Sequence, residues 1–128
     1  MQNTATGTFD VKLTPIGSDD GPIGGMSIEK TFHGALQGTS AGQMLAFRSG
    51  VEGSAGYVAM ERVTATLEGK QGSFTLQHSG LMNKGTPSLS VIVVPDSASD
   101  ELKGLTGTMN IDALPHRHEY VFRYTLQD

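Results

Sequence analysis

Apolar and polar residues alternate with a period of two through most of this chain, and no window carries the i, i+3, i+4, i+7 stripe of an amphipathic helix. The pattern predicts strands over about residues 6–14, 26–37, 41–48, 56–68, 71–80, 87–95, 105–112 and 118–126, separated by clusters of Gly, Pro, Asp and Ser. Single apolar faces are clear in Phe9, Val11 and Leu13, in Met26, Ile28, Phe32 and Leu36, and in Tyr120, Phe122, Tyr124 and Leu126. Eight strands with short connections are antiparallel neighbours and can close into a barrel, which removes the exposed edges of an open sheet. A sandwich of two sheets is the competing all-β arrangement. Residues 1–128 are expected to form one such domain, with GSDDGPIGG at 17–25 and DSASDELKG at 96–104 as loops.

The stretch AGYVAMERVTATLEGKQGSFTLQHSG, residues 55–80, alternates almost without fault yet places Glu61 and His78 on its apolar side. A two-residue turn at Gly69-Lys70, with Gly at the first central position, pairs Val63 with Leu76, Ala65 with Phe74 and Glu61 with His78. A four-residue loop keeps the same faces and makes Glu61 and His78 diagonal neighbours instead. A carboxylate and an imidazole on a low-dielectric wall are expected to pair, since an isolated buried charge is costly. Such a pair is either a proton-transferring dyad in a pocket or a structural contact in which each group satisfies the other; a third arrangement has Glu61 pin Arg62 or nearby backbone. Tyr57 shares the face and is read either as a member of the pocket or as a core residue with a local acceptor.

Composition narrows the function classes. Seventeen glycines, about twice the usual share, favour turns and bulges over helices. A net charge of -4 with scattered basic residues leaves no footprint for a phosphate backbone, so no nucleic-acid partner is expected. The absence of cysteine excludes disulfides and thiolate chemistry and points to the cytoplasm. The start MQNTATGTFDVKL has no signal-peptide character, and Val91–Val94 is far too short to span a bilayer, so no membrane partner is expected. The strand PSLSVIVVP, apolar on both faces, predicts a subunit contact and hence a homo-oligomer.

The run YVAMERVTATLEGKQGSFTLQHSG, followed by SVIVVPDSASDELKGLTGTM and EYVFRYTL, resembles the signature of a small bacterial family of unknown function over nearly the whole chain. The matching positions are Glu61, Arg62, Gly69, Gly72, Phe74, Gln77, His78 and Gly80. That resemblance implies a closed eight-stranded barrel similar to allene oxide cyclase, with a mainly apolar cavity, and it favours barrel over sandwich. It implies no reaction. The family's turn resembles DSGTGEL, whereas DSASDEL at 96–102 has Ala98 and Asp100 in place of the glycines, which implies a stiffer loop.

The expected function is a barrel that binds a hydrophobic small molecule, either without chemistry or as an isomerase or cyclase using Glu61 and His78. Tyr57, Val63, Phe74, Leu76, Phe122 and Tyr124 are the expected cavity lining. The alternative is an oligomeric interaction module whose interior is filled by its own side chains. No metal or cofactor is expected: His116-Arg117-His118 lacks a third ligand, and Asp19-Asp20 and Asp96, Asp100, Glu101 lack calcium-loop spacing. His33 falls on the outward face of its strand. Nucleophile-elbow, P-loop and dinucleotide motifs are absent.

Overall fold

The computed structural model describes residues 2–17, 22–114 and 117–126. Eight strands follow in chain order: β1 (Gln2–Ile16), β2 (Ile23–Gly34), β3 (Leu36–Arg48), β4 (Ala55–Leu67), β5 (Lys70–Asn83), β6 (Thr86–Val93), β7 (Thr106–Leu114) and β8 (Arg117–Thr125). Each is antiparallel to its neighbour, and β8 closes on β1 from Gln2↔Thr125 to Phe9↔His118, making a closed barrel. The expected all-β barrel is therefore the fold.

Two boundaries differ from the sequence expectation. The segment expected as one strand over 26–37 turns at Gly34-Ala35, because Tyr120 Oη accepts from Leu36 N at 2.9 Å and donates to His33 O at 2.8 Å, pinning both sides of the corner. The β4–β5 turn lies at Glu68-Gly69, not Gly69-Lys70. Both central residues have positive φ, +47° and +90°, as a type I′ hairpin requires. Glu68 tolerates that conformation while its carboxylate accepts from the Tyr124 hydroxyl and its amide donates to Ala35 O at 3.0 Å. The pairs are accordingly Val63↔Phe74, Glu61↔Leu76 and Ala59↔His78. A shift of two in the pairing preserves parity, so each face keeps its residues and only the partners change.

The barrel is filled at one end and open at the other. At the filled end Leu36, Leu67, Phe74, Leu76 and Phe122 point inward, with Leu102 and Leu105 of the β6–β7 connection closing it, all at most 1% exposed. Each large apolar side chain buried so completely contributes about 1.5–3 kcal/mol. The connection also completes an unpaired edge of β5. Ser97 Oγ accepts from Thr75 N at 3.0 Å, Ser99 Oγ from Ser73 N at 3.2 Å and Glu101 Oε1 from Gln71 N at 2.9 Å, so alternate loop residues stand in for a strand. Asp100, where the family turn has glycine, has φ +56°, a conformation that Asp adopts more readily than most residues. Replacing Ser97 and Ser99 together by alanine should destabilise the protein by about 1–3 kcal/mol in urea denaturation, from two donors left without side-chain acceptors. An unchanged midpoint would show that these bonds are structurally idle.

Candidate functional site

Inward-facing positions on four adjacent strands converge at mid-barrel: Lys30 on β2, Ser40 on β3, Glu61 on β4 and His78 on β5. The ladders place Lys30 beside Ser40, Ser40 beside Val63, and Glu61 beside Leu76, one diagonal step from His78. All four are buried. Glu61 Oε1 receives Lys30 Nζ at 2.8 Å and His78 Nε2 at 2.5 Å, while Oε2 receives Ser40 Oγ at 2.6 Å. Lys30 Nζ also lies 4.7 Å from the centroid of the Phe9 ring, a cation–π contact in a desolvated setting.

Burial by itself pushes the Glu61 carboxyl toward protonation. The His78 hydrogen bond, the Lys30 charge and the Lys30 and Ser40 hydrogen bonds outweigh that and hold its pKa at about 2, against an ordinary 4.5. At neutral pH Glu61 is an anion, and an ionised carboxylate only accepts. His78 Nε2 must therefore carry the shared proton, which leaves Nδ1 as the only nitrogen of this ring that can serve as an acceptor. Nδ1 has no partner among the described residues, while no fully buried side-chain nitrogen or oxygen among them lacks one.

Above this cluster, toward the open end, a pocket of about 550 Å³ is lined by Gly24, Met44, Ala46, Tyr57, Gly80 and Leu89, with Arg48 at its rim. Tyr57 is the link between pocket and cluster. Its ring lies against Gly80, where an added Cβ would stand 2.4 Å from the ring, so only glycine gives it this bed. Burial, and next the Glu61 charge, raise the pKa of its hydroxyl, which stays a donor through the physiological range.

Of the residues expected from sequence, Glu61 and His78 meet, as diagonal rather than directly opposed partners. Tyr57 borders the pocket. Val63, Phe74, Leu76, Phe122 and Tyr124 do not: Phe74 and Phe122 stack at 5.8 Å between centroids, and Phe122 and Tyr124 at 5.3 Å, as a solid core at the filled end. Their expected role in lining a cavity is corrected accordingly, because the β6–β7 connection plugs that end. Lys30 and Ser40 were not anticipated. Lys30 shares the parity of Ile28 and Phe32, so alternation alone places it inside. Ser40 lies just before the expected third strand, 41–48, where the sequence pattern gives it no face.

His33 is outward and exposed, paired with Asp10 at 2.9 Å. His118 faces inward and stacks on Phe9 at 5.1 Å, whereas Pro115, His116, Asp19 and Asp20 lie outside the described residues. Among the described residues no three His, Asp or Glu side chains are grouped to hold a metal ion, and no helix is long and apolar enough to cross a membrane.

Fold and site together define a closed eight-stranded antiparallel barrel with a charged cluster beneath an apolar mouth. The chain belongs to the DUF3224 family, described as a protein of unknown function, whose model matches residues 5–124. It is similar to a protein of unknown function from that family in Shewanella oneidensis MR-1, whose crystal structure superposes with a TM-score of 0.93 at 44% identity, covering 100% of this chain and 99% of that one. No curated protein matches the sequence.

Proposed function

We propose that the barrel binds an apolar small molecule in its mouth and that His78, oriented by Glu61, moves a proton on that molecule in an isomerisation or cyclisation. The carrying observation is the apolar pocket of about 550 Å³ whose lining includes Tyr57 and Gly80, the next inward position on β5 after His78; its size is within the roughly 300–1,000 Å³ range of small-molecule sites. Glu61 fixes the His78 tautomer so that Nδ1 is a base, as a buried carboxylate does for catalytic imidazoles on other folds. Tyr57, which borders the pocket, carries a hydroxyl that can donate. Either reaction conserves the substrate's atoms: the proton taken by Nδ1 is returned at another position, so no co-reactant is required.

The filled half of the barrel supports the other reading, a non-catalytic interaction module. Ligand retention separates the two. Native mass spectrometry of protein from its own host should show a retained hydrophobic mass that Gly80→Val abolishes, because a branched side chain displaces the Tyr57 ring. His78→Ala should keep the mass and lose turnover. An empty wild type, with 1-anilinonaphthalene-8-sulfonate fluorescence equal in wild type and Gly80→Val, would exclude the ligand reading.

A further inference from the structure

We infer that the outward face of β3–β6 is an interface between two copies of this chain. Leu45, Phe47, Val58, Met60, Leu81 and Ile92 all point away from the barrel and are each 44–64% exposed. The register makes them one surface: Leu45 pairs with Val58, Phe47 with Gly56 and Gly56 with Leu81, while Gln77 joins Met60 to Ile92. Half-exposed side chains of this size present on the order of 500 Å² of apolar surface, near the top of the ~300–600 Å² of the largest patch on a typical monomer. With its polar border the face approaches the ~800 Å² that each partner buries in a standard interface.

The chemistry of the border favours a second copy over a different protein. Gln43, Gln77, Ser79 and Ser90 lie among the apolar residues, and no charged residue occupies a position between them. Across a two-fold axis each residue of a patch meets the same patch. Close to the axis a residue meets its own copy, so a charge there would face a like charge, whereas amides and hydroxyls both donate and accept and can pair with their own kind. The first charges met along the strands, Glu29 and Arg62, flank Ala41 at the edge of the patch, where they stay in water. Phe47 and Leu81 also reach the rim of the pocket, whereas Val58, Met60 and Ile92 do not border it, so substitutions at Val58 and Met60 test the interface apart from the ligand reading.

Sedimentation velocity on the full chain from about 1 to 100 µM should give a species of twice the 13.5 kDa chain mass. Val58→Arg and, separately, Leu81→Arg should each weaken association at least 100-fold and leave the circular dichroism spectrum of the barrel unchanged. Mixing Val58→Glu with Val58→Lys should restore a dimer that neither forms alone. A wild type that is monomeric throughout this range would overturn the proposal. So would a dimer that survives both arginine variants with the barrel folded. If either arginine variant fails to fold, Met60→Gln, a milder change on the same face, should still weaken association, and undiminished association would overturn the proposal.

Discussion

Replacing Glu61 by alanine should lower the unfolding free energy by roughly 3–5 kcal/mol, the usual penalty for removing one partner of a buried ion pair. Three donors point at this carboxylate, and one of them, Lys30, is 7% exposed with its ammonium against Phe9. Without Glu61 that buried charge has no counterion, and Ser40 and His78 lose their acceptor as well. Lys30→Met alone should also destabilise, leaving Glu61 charged in a low-dielectric interior. The double replacement Lys30→Met with Glu61→Met should cost far less than the sum, because apolar side chains of similar length refill the volume without a charge to neutralise. Urea denaturation of the four proteins completes the cycle, and strict additivity would rule out the Lys30–Glu61 pair as an energetic unit. If the double variant is as stable as wild type, the cluster is no requirement of the fold. That outcome supports a role in chemistry, where groups are often kept at the expense of stability.

Much of this molecule is legible in the sequence because parity survives errors of register. The turn lies one residue earlier than a leading glycine suggests, since Glu68 accepts positive φ when Tyr124 and Ala35 hold it, and those contacts come from residues distant in sequence. Moving the turn shifts the pairing by two, so Glu61 and His78 remain on the inner face and still touch. Lys30 was equally legible, inside by the same alternation that assigns Ile28 and Phe32. A lysine between apolar inward positions signals a buried counterion as strongly as Glu61 does. The filled and open ends were not legible. Val63, Phe74 and Phe122 have the alternation expected of any inward residue, and whether they border space or pack solidly depends on Leu102 and Leu105 arriving from a loop that carries no periodic signal. The serines of DSASDEL show the same limit. Their spacing of two matches the β5 amides only once the gap between β5 and β7 is seen.

Acid should destabilise this protein over a window set mainly by Glu61. Its carboxyl is held at about 2 in the folded barrel against an ordinary 4.5, so between those values the unfolded chain binds a proton that the folded chain does not. The stabilisation from the cluster is therefore complete above about pH 5 and is lost as pH falls from about 4.5 toward 2. A difference of this size corresponds to a few kcal/mol, on the scale of about 1.4 kcal/mol per pKa unit. The other ion pairs among the described residues, His33–Asp10 and Arg117–Glu119, are solvent-exposed and contribute little to the slope. Unfolding free energies from urea titrations at pH 7, 4, 3 and 2.5 should fall steeply for wild type below pH 4.5. The Lys30→Met/Glu61→Met protein lacks the titrating carboxylate and should fall more gently, so the two curves converge in acid. Parallel curves would mean that Glu61 titrates alike in folded and unfolded chains, contrary to three hydrogen bonds of 2.5–2.8 Å to a buried carboxylate.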